Sequence, residues 1–256
     1  MIELTKQESF KLLKKTGTWL SIGILISLQL LFGILAKSQP HIFNPQETFV
    51  DGYYGQTWMV LLIIAAAGAI VTMEFQYGTI KELLYRKYDR GQILISKLLT
   101  MILYSIGLFL LVTVVSFIIK FGLFPSVHLA TNIGHGYTVL SSTLIVGTAN
   151  LITYWLIMSL VLMLSTLFKS SGLAVSIGMF MYLISTLLSS IFGLLIQKWD
   201  WFKWNPLNML NYPAQMITPD LHATTQLTLI QLLLGNIGYT LIFLGIGYLI
   251  FKHRSV

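Results

Sequence analysis

Six stretches of this chain, residues 19–36, 57–73, 98–119, 142–168, 172–196 and 228–251, contain no Asp, Glu, Lys, Arg or His. A helix crossing the hydrocarbon core of a bilayer needs about 20 apolar residues, and one charge at its centre costs roughly 2.5–3.5 kcal/mol on insertion scales. Strands of a membrane barrel are about 10 residues long and alternate apolar with polar, so runs this long and uniform predict helices. Only 10% of the residues are charged and the mean hydropathy is +0.78, whereas a soluble domain carries about a quarter charged residues. Most of the surface must therefore meet lipid. The expected fold is an all-α integral membrane protein, one transmembrane domain over residues 1–256 with six spans.

Orientation follows from the basic residues. With the N-terminus inside, twelve of the 16 Lys and Arg fall in cytoplasmic segments, and only Lys37, Lys120, Lys198 and Lys203 fall outside. The positive-inside rule selects this arrangement, with both termini cytoplasmic. The formal net charge of +7 is then a topology signal, and nucleic acid is excluded as a partner because the charges are scattered over short loops between lipid-soluble helices. The chain has no cysteine, so it forms no disulfide and no thiolate zinc site. Glu3 and Glu8 in the leading segment, and the length of the first apolar run, identify an uncleaved first span rather than a signal peptide.

Residues 1–17 place Ile2, Phe10 and Leu13 on one helical face, interrupted by Lys6, which predicts an amphipathic helix at the inner membrane surface. The outer loop 37–55, with Pro40, Pro45 and Gly52, reads as irregular, and 120–136, with Pro125 and several glycines, as a second outer loop. Residues 169–172 form a tight inner turn. His41, His128, His135, His222 and His253 all lie in loops or at the tail, so no metal is expected.

The inner segment 74–92 is the most informative. Thr79 followed by Glu82 is a capping box; Ile80, Leu83 and Leu84 then share one helical face, with Lys81, Arg86 and Lys87 mostly elsewhere. Gly78 permits a sharp turn out of the second span, and Asp89 with Gln92 forms the cap of the third. The chain therefore leaves the membrane, makes a short capped helix and returns, which offers a soluble partner a handle on two spans at once.

The pattern Glu74-x-x-x-Gly78-Thr79-Ile80-Lys81, then Leu83-Leu84, Arg90 and Ile95-Ser96-Lys97-Leu98, resembles the second inner segment of permeases of the type-2 ABC exporter superfamily. Along the whole chain it looks most like small bacterial permeases of antimicrobial-peptide (lantibiotic) export or immunity. Where members often have Pro before a Ser/Asp-Arg pair, this chain has Lys87-Tyr88-Asp89-Arg90. The resemblance implies a coupling helix, with Thr79, Ile80, Lys81, Glu82, Leu83, Leu84, Tyr85, Arg86 and Arg90 meeting a separate ATP-binding subunit. It implies Glu74 at the inner boundary, bonded to the lead-in, and short outer interfacial helices within 197–226, where Trp199, Trp201 and Trp204 lie. It also implies two ATPase subunits holding ATP and Mg, a second permease copy or a related permease, and the cytoplasmic membrane of a bacterium.

No Gly-x-x-x-x-Gly-Lys-Ser/Thr motif occurs, so the chain is expected neither to hydrolyse ATP by itself nor to bind a cofactor. Carriers driven by protons or ions keep charged groups in their spans; here the spans hold only Gln29, Asn150, Gln231, Asn236 and hydroxyls, which points to an external energy source. Gln29, Asn150 and Asn236 are candidates for the cargo path or a dimer seam, with interhelical hydrogen bonding as the ordinary alternative. Ala65–Ala69, Ser185, Ser189 and Gly193, and Gly235, Gly238, Gly245 and Gly247 are small residues suited to close helix contacts. An uncharged path suits an apolar or amphipathic cargo, a peptide first and a drug or lipid-like molecule second. Two other classes stay open: a membrane enzyme on lipid-linked substrates, and a non-transporting sensor or scaffold.

Overall fold

The computed structural model describes residues 2–76, 89–134, 136–168 and 170–253, and all their side chains except those of 74–76, 133, 134, 189 and 190. The segment 77–88, which holds the expected coupling helix, lies outside the described residues.

Helix α1 (Ile2–Lys14) is followed after one extended residue, Lys15, by α2 (Thr16–Ser38). The last carbonyls of a helix lack partners within it. Here the Thr18 hydroxyl donates to the Leu12 carbonyl and the Trp19 indole to the Leu13 carbonyl, each at 2.7 Å, and these bonds fix the corner between α1 and α2.

The loop expected to be irregular over 37–55 contains a helix, α3 (Pro45–Val50). Its signals are local: the Asn44 side chain accepts from the Gln46 N–H at 2.9 Å, Pro45 opens the helix and Glu47 lies in its first turn. Gly52, Tyr53 and Tyr54 all have positive φ and reverse the chain into α4 (Gly55–Gln76). Phe49, Val50 and Tyr53 pack against Ala36, Ile119 and Phe124, so this outer segment is part of the core.

Helix α5 (Arg90–Leu123) has 34 residues. At about 1.5 Å per residue it outreaches a hydrocarbon core of ~30 Å, and so extends past both ends of the expected span 98–119. Asp89 is its N-cap, as the sequence predicted, and the Asp89 N–H donates to Gln92 Oε1 at 3.4 Å. Lys120, expected in a loop, lies in the last turn of α5 with its Nζ 4.4 Å from the Phe121 ring centre.

Strands β1 (Asn132–Gly134) and β2 (Tyr137–Thr138) pair antiparallel, and among the described residues this small hairpin is the only sheet. Helix α6 (Val139–Leu167) starts on a reciprocal cap between Thr138 and Ser141.

The expected fifth span, 172–196, is not one straight helix. It comprises α7 (Ser171–Leu187) and α8 (Ser189–Lys198), bent by 78° at the break between them. Ser185 on α7 is buried, while Gly193 lies past the bend and approaches Thr224. The four-residue recurrence of Ser185, Ser189 and Gly193 therefore does not mark one continuous helix face. Short 3₁₀ turns then lead through α9 (Tyr212–Ile217) and α10 (His222–Thr225) to α11 (Leu229–His253). Trp199, Trp201 and Trp204 in this segment are exposed.

Among the described residues, five helical segments are long and apolar enough to cross a membrane, and the α7–α8 pair makes a sixth where the bent pair is one span. The central helix is α6, with 61% of its apolar window buried against 11% for α11. The main core joins α4, α5 and α6 through Met59, Ile63, Met101, Leu108, Met158 and Val161, and is closed at one end by Leu4 and Phe251. Gly68 meets Val175, Gly235 meets Met209 and Gly247 meets the Met163 backbone, whereas Gly238 and Gly245 face open space. The first three glycines thus serve packing within the chain.

At one end of the molecule lie α1, the end of α4, the start of α5 and the end of α11, with Lys6, Lys11, Lys14, Lys15, Arg90, Lys97 and Lys252. This is called the basic end below.

Candidate functional site at the basic end

Leu4 and Glu8 lie one turn apart on α1, so they share a face. That face turns inward: Leu4 is buried and Glu8 is 4% exposed, while Ile2, Phe10 and Leu13 point out. The apolar face expected to contact the membrane is therefore on the outside of the protein, and a carboxylate is on the inside. Its partner is Lys97 of α5, 1% exposed, with Nζ 2.7 Å from Glu8 Oε2. Lys11, largely exposed, places its Nζ 2.7 Å from Glu8 Oε1.

Lys97 Nζ also donates to the Ile70 carbonyl of α4 at 3.0 Å, and the Thr100 hydroxyl of α5 donates to the Thr5 carbonyl of α1 at 3.4 Å. Three helices meet at this ion pair. Burial raises the Glu8 pKa, but the Lys97 and Lys11 ammonium groups outweigh it and hold the carboxyl below its ordinary value. The charges are compensated where they sit, and breaking such a buried pair by removing one partner costs about 3–5 kcal/mol.

A second tie closes the same end. Arg90 Nη1 donates to the Lys252 carbonyl at 2.9 Å and so joins the start of α5 to the end of α11. Lys15 Nζ approaches Met73 Sδ at 3.5 Å, between the α1–α2 corner and α4. The chain thus leaves α4 after Gln76 and re-enters α5 at Arg90 with both of those helix ends held to neighbours.

Of the residues expected to couple to a partner, Thr79, Ile80, Lys81, Glu82, Leu83, Leu84, Tyr85 and Arg86 lie outside the described residues, as do Gly78 and the Glu74 side chain. Arg90 is described, and its guanidinium is engaged within the chain.

The polar span residues serve different joints. Gln29 Nε2 lies 2.9 Å from the Gly52 carbonyl and 3.2 Å from both the Val112 carbonyl and Ser116 Oγ, fastening α2 and α5 to the turn before α4. Asn236 Nδ2 donates to the Met209 carbonyl at 2.8 Å and the Leu232 carbonyl at 2.9 Å, fastening α11 to the 3₁₀ turn at 208–211. Both side chains are fully buried; Asn150 is half-buried on α6. Gln29 and Asn236 thus make the interhelical bonds that are the ordinary role of an amide in a span.

Sequence reasoning missed Glu8 and Lys97 as a pair. A signal existed for one half of it, since Leu4 and Glu8 stand at helical spacing on α1. Nothing local could name a partner 89 residues away.

Comparison with known proteins agrees with the apolar helical body. Residues 41–256 match a family described as "Protein of unknown function (DUF2705)". Two Bacillus subtilis (strain 168) proteins are similar. The uncharacterized membrane protein YdbK is 30% identical over 202 residues, covering 75% of this chain and 78% of YdbK. The uncharacterized protein YhcI is 28% identical over 203 residues, covering 76% of this chain and 63% of YhcI. The chain thus spans less than two thirds of YhcI's length. With the family match extending over most of the chain, and its helices apolar enough to cross a bilayer, this protein is a multi-pass membrane protein of the DUF2705 family.

Proposed function

We propose that this chain is the membrane subunit of an ATP-driven exporter of the type-2 ABC kind. In this reading it crosses the cytoplasmic membrane of a bacterium six times, with the basic end and both termini in the cytoplasm. Segment 74–92 is the coupling element, and a separate ATP-binding subunit docks on it. Two permeases, identical or related, pair with two such subunits to move an amphipathic peptide outward. The chain supplies the path, and its partner supplies the nucleotide chemistry.

The observation that carries this reading is how the ends of α4 and α5 are held at the basic end. The Glu8–Lys97 pair, with its bond to the Ile70 carbonyl, joins α1, α4 and α5, and Arg90 joins α5 to α11. A push on a segment strung between tied helix ends is passed to four helices together. A loop that only connects two spans has no need of such fastening.

The test is to co-express the chain with the ATP-binding subunit encoded beside it, purify the pair into lipid nanodiscs and measure ATP hydrolysis with and without a cationic amphipathic peptide. Peptide should stimulate hydrolysis, and the triple change Ile80→Ala, Leu83→Ala, Leu84→Ala should weaken co-purification and remove the stimulation. Co-purification and stimulation both unchanged in the triple variant would sink the coupling assignment. Absence of any stable complex with the ATPase would sink the exporter reading as a whole.

A further inference from the structure

Near the basic end, a cleft of about 320 Å³ lies between α5, α6 and α11, lined by Leu94, Leu98, Leu162, Met163, Phe243 and Tyr248 among others. That volume falls in the usual range for small-molecule sites, roughly 300–1,000 Å³. The Thr166 hydroxyl, also on the wall, is used within α6, where it donates to the Met163 carbonyl at 2.6 Å. Ile95 and Tyr248 line the cleft and are both more than a third exposed, so it opens to the outside of the helix bundle.

Its end toward the basic surface is charged. Arg90 is one turn before Leu94 on α5, and Lys252 is one turn after Tyr248 on α11. The bond from the Arg90 guanidinium to the Lys252 carbonyl brings these two positions together. The Lys252 and His253 side chains are exposed beside it.

An apolar slot with a cationic rim is complementary to a ligand with an apolar tail and an anionic head. A free phosphate would leave the slot empty, and a neutral lipid would leave the rim unmatched. Basic pockets between membrane helices on the cytoplasmic side are a recognised form of anionic-lipid site. We propose that this cleft holds one acyl chain of an anionic phospholipid, whose headgroup rests against Lys252 and Arg90. The α5–α6–α11 junction is then a lipid site, and the composition of the surrounding leaflet sets its occupancy.

The proposal stands apart from the exporter reading and is tested without ATP. The full chain, purified in a neutral detergent, is titrated with phosphatidylglycerol and with phosphatidylcholine of the same acyl composition, and binding is followed by native mass spectrometry. The wild type should bind the anionic lipid about tenfold or more tightly than the neutral one, as two basic side chains at the headgroup imply. A Cβ on Gly245, which lines the cleft, would meet nothing within 4 Å, so Gly245→Phe starts its side chain in open space at the slot; it should weaken both lipids. Lys252→Glu leaves intact the backbone carbonyl that Arg90 bonds, and should remove the preference for the anionic lipid. Thermal melts followed by circular dichroism report whether each variant is folded.

Equal binding of the two lipids by the wild type overturns the proposal. So does undiminished phosphatidylglycerol binding by folded Gly245→Phe. A loss of dimer in that variant, with lipid binding unchanged, would assign the cleft to a second copy of the chain instead.

Discussion

A lysine with 1% of its side chain exposed, on a helix that faces outward over much of its length, has to be neutralised where it sits. Glu8 does this from a helix outside the spans, and the arrangement makes the two single substitutions unequal to the double one. Lys97→Met leaves Glu8 with only the exposed Lys11, and should lower stability by about 3 kcal/mol, toward the low end for a broken buried pair. The double change Glu8→Leu, Lys97→Met removes both charges and should return to within about 1 kcal/mol of the wild type. Thermal unfolding in detergent reads both; a double variant no more stable than the worse single one would mean that the pair is not the source of the loss. Because the Glu8 carboxyl is held below its ordinary value, its contribution is complete above that value and is lost as the pH falls through the lowered one. Hydrogen exchange of α1 should therefore rise on acidification below about pH 4, the ordinary glutamate range, and this acid response should vanish in the double variant. The sequence displays both charges but not their partnership. Lys97 adjoins the apolar run that begins at Leu98 and Glu8 lies in a charged lead-in, so each passes for ordinary flanking charge until the fold brings α1 across α5.

At the level of elements, helices were legible where a long apolar run left no alternative, and their ends were not. Helix α5 continues beyond its apolar centre because Asp89 and Gln92 cap it at one end and Lys120 fits its last turn at the other, features independent of lipid solubility. The bend between α7 and α8 carries no charge or proline to announce it. Helix α3 had its signals in Asn44-Pro45 and Glu47, but prolines and a glycine nearby read as a loop. In the turn after α3 one added atom meets both a backbone and a packing cost. Gly52 has φ +62, and a Cβ there would lie 3.2 Å from both Ser116 Oγ and Val112 Cγ1, while the Gly52 carbonyl receives the Gln29 amide. Gly52→Ala should cost about 1–2 kcal/mol from the left-handed backbone alone, with further loss where the Gln29 bond is displaced. Gly238→Ala, on an open face of α11, should instead be neutral or slightly stabilising, since alanine favours a helix interior. Melting both variants side by side checks the contrast, and equal effects would show that the turn is not strained.

For the whole molecule, the composition provides a direct test of which way the charged end faces. The chain has no cysteine, so each introduced one is the sole thiol. Lys14 lies near the end of α1 at the basic end, whereas Trp201 is 72% exposed in the 3₁₀ turn that follows α8. If the basic end is cytoplasmic, a membrane-impermeant maleimide added to intact cells should label Trp201→Cys and spare Lys14→Cys until the cells are opened. Both positions are exposed surface, so neither replacement disturbs the core and labelling reports sidedness rather than unfolding. The same assay reads the parity of the crossings, because only an odd number of them can separate the two sites. Between α1 and that turn lie α2, α4, α5, α6 and the bent α7–α8 pair. Opposite labelling requires all five to cross, or a smaller odd number. Lys14→Cys and Trp201→Cys both protected in intact cells would mean that the bent pair turns back within the membrane as a re-entrant element. The protein would then cross five times, with its two termini on opposite sides. In that case the Arg90–Lys252 bond could not join two cytoplasmic ends, and the segment after α4 would lose one of the two ties that make it a handle.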